Sequence, residues 1–155
     1  MIVVDTGGLY AFLDRDDARH DAARAVVDAD PGPLVLSPFV LAELGSLVAL
    51  RLGVDAECDL LDDVDGGVYT LVAFGDDDLS DAAALVRQHR DLGIGITDAS
   101  VVVLAAKYRT VDLLSTDDAT CGRCDRYVAA PPFGSCPPTR DRTRSLSAAA
   151  HRVRR

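Results

Sequence analysis

The sequence predicts an α/β domain: a mostly parallel sheet of four to five strands with helices on both faces, in three layers. Two observations carry this. Short β-branched or apolar runs alternate with longer segments of helical spacing. The connections between those runs are long enough for βαβ crossovers, which parallel strands require.

The elements follow in order. MIVVDT is a short β-branched run ending in Asp5 and reads as a buried strand. GLYAFL and then HDAARAVVDA have helical spacing, and Pro31-Gly32-Pro33 stops the second. LVLS (34–37) is the second strand, and Pro38 suits the first turn of the helix FVLAELGSLVALRL. Gly53 ends that helix, AECDLLDDV forms another, and Gly66-Gly67 turn the chain into a third strand, VYTLVAF. Asp76 to Asp78 lead into a helix through LSDAAALVRQHRDLG. In GIGITDASVVVLAAKY, Thr97 is the expected N-cap, with Asp98 in the first turn. VDLLSTDD is the fourth strand, ending at Thr116-Asp117.

With 155 residues and 48% apolar content, one domain with a sizeable core is expected. No apolar run approaches the roughly 20 residues of a membrane helix, and no basic, then apolar, leader opens the chain, so a cytoplasmic location is expected. Aromatics make up 5% and Trp is absent, which disfavours a sheet of rings stacking on bases. The net charge of −9 disfavours simple phosphate-backbone binding.

That average conceals a break. Residues 1–118 carry 8 basic and 23 acidic side chains, a net −15, whereas residues 119–155 carry 8 Arg and 2 Asp, a net +6. Three of the four cysteines, Cys121, Cys124 and Cys136, fall in that short end, where helical and strand periodicity also cease. Residues 119–155 therefore read as an atypical basic tail of loop or disordered character.

Ligands of open parallel sheets collect at the carboxyl ends of strands. Asp5 and Asp117 each end a strand, Asp98 lies in a first helical turn, and Glu43 sits in the helix after the second strand. Four carboxylates at one edge repel one another unless a cation neutralises them. Hard oxygen ligands suit Mg²⁺ or Mn²⁺, which keep waters and accept phosphate oxygens. Such an ion activates water for in-line phosphodiester displacement. Simpler readings stand beside this one: Asp98 could serve only the helix dipole, and Glu43 only the surface.

VDTGGLYAFLD, SPFVLAELGSLVALRLG, GIGITDASVVVLAAKY and LLSTDD, in this order, resemble the PIN-domain ribonucleases, above all the VapC toxins of type II toxin–antitoxin pairs. The resemblance covers about residues 1–118. It implies a PIN-like α/β/α fold and a metal-dependent endoribonuclease acting on tRNA or ribosomal RNA. It also implies Mg²⁺ or Mn²⁺ as cofactor, a homodimer, and a cognate VapB-type antitoxin whose C-terminal segment enters the acidic groove. Asp5, Glu43, Asp98 and Asp117 match the family's catalytic and metal-binding acids, and Thr6 and Thr116 the hydroxyl residues beside them. Two departures stand out: Gly7, where the family has Ser or Asn, and the tail, which lacks the family's closing helix turn and strand.

A one-base reading-frame offset after Asp118 would account for the second departure. Back-translated with GC-rich codons, the third base of each being a free choice, and read one base earlier, ATCGRCDRYVAAPPFGSCP (119–137) can read RHLRPLRPLRGGAPFRLLP, a plausible family ending.

Other signals carry little. Cys121, Cys124 and Cys136 would need distant His151 to complete a zinc site. Cys58 lies in an apolar helical pattern and is expected in the core, while His20 and His89 lie among charges and are expected at the surface. Asp76 to Asp78 read as a solvated helix start, and Gly93 and Gly95 lack a dinucleotide-loop context. Beside the ribonuclease stand a catalytically impaired PIN domain that binds antitoxin or RNA, and, far behind, a phosphoacceptor receiver module.

Overall fold

The computed structural model describes residues 1–116; residues 117–155, Asp117 and the tail among them, lie outside the described residues. The described chain runs β1 (Ile2–Val4), α1 (Thr6–Leu13), α2 (His20–Ala29), β2 (Leu34–Leu36), α3 (Pro38–Arg51), α4 (Val54–Asp65), β3 (Tyr69–Leu71), α5 (Asp76–Gln88), α6 (Ile96–Tyr108) and β4 (Leu113–Leu114), with one 3-10 turn at Arg90–Leu92. The four strands lie in the order β3-β2-β1-β4, and every pair is parallel.

The central strands are the most apolar because helices cover both sides of the sheet. All residues of β1 and β2 are buried, with Ile2 opposite Leu34 and Val3 opposite Val35. The edge strand β3 buries only Tyr69 of its three residues, and it is shorter than the VYTLVAF run suggests. Beyond Leu71 the Val72 amide still donates to the Leu36 carbonyl at 3.1 Å, and Val72 and Phe74 pack on the core outside the regular ladder.

Helix α6 is apolar on all sides, and Ala99 through Ala105 are all buried. A helix without a polar stripe must be enclosed. Leu104, fully buried here, joins the core of Val3, Leu36, Leu44 and Leu114. Helix α3 starts where expected: Pro38 occupies the first turn, and the Ser37 hydroxyl accepts from the Phe39 amide at 3.2 Å.

Four local expectations are corrected. Helix α6 begins at Ile96 with Gly95 as N-cap, so Thr97 lies inside the first turn. The Asp98 carboxylate, reaching back to the Gly95 amide at 3.0 Å, serves the end that Thr97 was expected to cap. Cys58 is exposed, because α4 buries its Leu60 face and turns Cys58 outward. His20 is half-buried, its Nδ1 lying 3.0 Å from the Ala11 carbonyl oxygen, which ties α2 to α1. His89 is also half-buried, at the C-cap of α5.

The strand order fixes where a ligand belongs. From β1 the chain moves through β2 to β3, then crosses back to place β4 on the other side of β1. The reversal falls between β1 and β4, and the crevice beyond the carboxyl ends of such strands is where open α/β sheets bind ligands. Asp5 follows β1 and Ser115 follows β4.

Candidate functional site

Asp5 is the centre of this edge. It is the N-cap of α1, and its Oδ1 accepts from the Thr6 amide at 2.8 Å. Its Oδ2 accepts from the Ser115 hydroxyl at 3.0 Å. Only 8% of the residue is exposed. Burial pushes the Asp5 carboxyl above its ordinary range; the Ser115 hydroxyl and the Thr6 amide pull it down, and the charges of Asp98 and Glu43 raise it again.

Glu43 and Asp98 therefore share Asp5's electrostatic neighbourhood. Glu43 projects from α3, exposed, and its Oε2 accepts from the Thr6 hydroxyl at 3.2 Å. Thr6 thus bridges two acids, giving its amide to Asp5 and its hydroxyl to Glu43. Asp98 is half-buried in the first turn of α6. The structure brings together Asp5, Thr6, Glu43, Asp98 and Thr116; Asp117 lies outside the described residues.

Two glycines let α1 approach β4. A Cβ on Gly8 would run into the Leu114 carbonyl, with the Ser115 amide nitrogen 2.8 Å away. Gly8 is needed for close approach, since the atoms it would meet are backbone and cannot rotate aside. At Gly7 a Cβ would lie 2.5 Å from the Thr116 Oγ1 and 3.9 Å from the Asp5 Oδ2. The Thr116 hydroxyl therefore occupies the space that a side chain at position 7 would take.

Sequence reasoning chose Thr116 and passed over Ser115. The structure gives Ser115, fully buried, the direct bond to Asp5. The signal available was the adjacent pair of hydroxyls in LLSTDD, without anything to decide which one faces Asp5.

Among the described residues no three His, Cys, Asp or Glu side chains close into a metal cage. The donor set still fits a hard divalent cation that retains waters: oxygen donors on Asp5, Asp98 and Glu43, and a central carboxyl raised first by burial and then by the charges of Asp98 and Glu43. Among the described residues the site offers oxygen donors alone, which suit Mg²⁺ or Mn²⁺ better than a thiophilic ion.

A PIN-domain family model matches residues 2–125. Ribonuclease VapC26 of Mycobacterium tuberculosis is 41% identical over 116 residues, covering 75% of this chain and 86% of the relative. The crystal structure of Mycobacterium tuberculosis VapC20, described as a Sarcin-Ricin loop cleaving toxin, superposes with a TM-score of 0.74 at 21% identity. That likeness covers 79% of this chain and 95% of VapC20 and speaks to the fold alone. With a family model spanning four strands and their acidic edge, and a relative of this identity over most of both chains, the chain belongs to the PIN-domain family, in its VapC group.

Proposed function

We propose that the protein is a metal-dependent endoribonuclease toxin hydrolysing RNA phosphodiester bonds, with tRNA or ribosomal RNA as substrate class and a VapB-type antitoxin as inhibitor. The observation that carries this reading is the meeting of Asp5, Glu43 and Asp98 at the β1/β4 switch point, in a chain with a ribonuclease relative. No helix among the described residues is long and apolar enough to cross a membrane. The reading places the protein in the cytoplasm, as a homodimer.

Asp5 and Asp98 would be the principal ligands for Mg²⁺ or Mn²⁺, with Glu43 and Asp117 completing the set. When bound, such an ion would supply Lewis-acid stabilisation of the phosphoryl oxygens and a lowered pKa for the attacking water. Ser115 and the Thr6 amide fix both oxygens of Asp5, so one orientation of that carboxylate persists. Glu43, exposed and held through the Thr6 hydroxyl, orients the attacking water and accepts its proton. An antitoxin residue carrying a positive charge would compete for the same carboxylates. Purified protein incubated with total bacterial RNA should yield discrete fragments with Mg²⁺ or Mn²⁺ and none with EDTA. RNA binding without cleavage under every metal condition would favour the impaired, binding-only reading.

Residues 119–155 are read as out of frame, the offset falling after Asp118. The charge reversal at that point supports this. Resequencing the gene tests it: an intact frame relative to close relatives would overturn it.

A further inference from the structure

We propose that a cavity beside Ser115 is a phosphate subsite for the RNA strand, with Arg19 as its cation; the proposal rests on the ribonuclease reading above. The cavity, about 230 Å³, lies between Gly8 of α1, the start of α2 at Arg19, Ala22 and Ala23, and the end of β4 at Leu114–Thr116. Gly8, Ala22 and Ala23 leave its volume open because they carry little or no side chain.

Three features make it an anion site belonging to the acidic edge. First, it adjoins that edge directly: Ser115 lines the cavity and gives its hydroxyl to Asp5 at 3.0 Å. Second, Arg19 is the single charged residue of the lining. Third, Arg19 is already oriented. Its Nε donates to Asp17 Oδ1 at 3.0 Å and its Nη2 to Asp17 Oδ2 at 2.9 Å, while its own amide donates to Asp17 Oδ1 at 2.8 Å. That fork fixes the guanidinium plane and leaves its remaining N–H donors for a phosphate. The Arg19 side chain is 54% exposed, so an incoming strand can reach it.

The charge balance explains why such a subsite is needed. Residues 1–118 carry a net −15, and a polyanion approaching Asp5, Glu43 and Asp98 is repelled. A cation held beside that edge, rather than among the acids, can hold a neighbouring phosphate while the acids keep their own ligands.

The test is binding of a fluorescent single-stranded RNA oligonucleotide, in an Asp98→Ala background that stops cleavage, from about 50 to 200 mM salt. Arg19→Ala should weaken binding about tenfold at low salt and reduce the slope of log affinity against log salt by about 0.7 to 1. Arg19→Lys keeps the charge and should keep the slope, with intermediate affinity. Arg87→Ala, removing an exposed charge on α5, should do neither. Should Arg19→Ala fail to fold, Arg19→Gln takes its place with the same expected loss of slope. Cleavage by otherwise native protein should show a raised KM and an unchanged kcat in the Arg19 variant. An Arg19 variant indistinguishable from Arg87→Ala overturns the subsite alone. A parent protein without metal-dependent cleavage or RNA binding overturns the ribonuclease reading and the subsite with it.

Discussion

The Ser115 hydroxyl donates to Asp5 Oδ2 at 3.0 Å, joining the ends of β4 and β1 across 110 residues of chain. This bond closes the switch point of the sheet and sets the orientation of its central acid. Ser115→Ala should lower kcat about 10- to 100-fold, the usual effect of removing a group that orients a ligand. Stability should fall by about 1 kcal/mol. Ser115→Thr should restore most of the activity. Steady-state cleavage rates and thermal melts check both.

Asp5 lies above its ordinary pKa through burial first, then through Asp98 and Glu43. A group raised in the folded state adds stability that is complete below its unfolded pKa of about 3.9 and is lost as pH rises through the folded value. Metal-free protein should therefore carry a stability penalty from Asp5 at neutral pH. Asp5→Asn should raise Tm near pH 7 in EDTA while abolishing cleavage. Mg²⁺ should raise the Tm of the native protein and leave that of Asp5→Asn nearly unchanged.

Gly8→Ala should destabilise the fold by about 1–3 kcal/mol, because its Cβ meets the rigid Leu114 backbone. Gly7→Ala should cost less, since the atom it meets is the Thr116 hydroxyl, which can turn about χ1. Pairing Gly7→Ala with Thr116→Gly should recover part of that smaller loss. Urea midpoints of the three variants give the comparison.

Tyr69, buried on β3, has its phenol pushed upward by burial and then by the charge of Asp63. Its stabilising contribution is complete below the unfolded pKa of about 10 and declines as pH rises beyond it. Tyr69→Phe should flatten the alkaline limb of the stability curve, as followed by circular dichroism.

The fold was legible in the sequence wherever one pattern dominated. IVV and LVL read as strands, and the largely apolar run from Ala99 to Ala105, whose one polar side chain, Ser100, bonds back to the Thr97 carbonyl, reads as part of a helix. Three of the four acids could be placed because each follows a strand or lies in a helix leaving the same sheet edge. Other features depended on tertiary contacts that periodicity cannot encode. Thr97 has the chemistry of a cap, but Asp98 reaches the Gly95 amide and takes that role. Cys58 is apolar enough for a core, yet α4 turns it to solvent. The choice between Ser115 and Thr116 rests on a one-residue alternation at the end of a two-residue strand.

Asp98 and Asp78 supply a matched pair for the central claim. Each accepts from the glycine amide three residues before it, Asp98 from Gly95 and Asp78 from Gly75, both at 3.0 Å. Asp78 also binds Lys107 at 2.7 Å, whereas Asp98 contributes its charge to Asp5. Capping alone would make the two acids equivalent in any assay of activity. The most direct measurement is RNA cleavage with Mg²⁺ or Mn²⁺ by native protein, Asp98→Ala and Asp78→Ala, each checked for folding by its melting curve. The account predicts fragments from native protein and Asp78→Ala and none from a folded Asp98→Ala. Equal cleavage by Asp98→Ala, or cleavage that persists in EDTA, would contradict it.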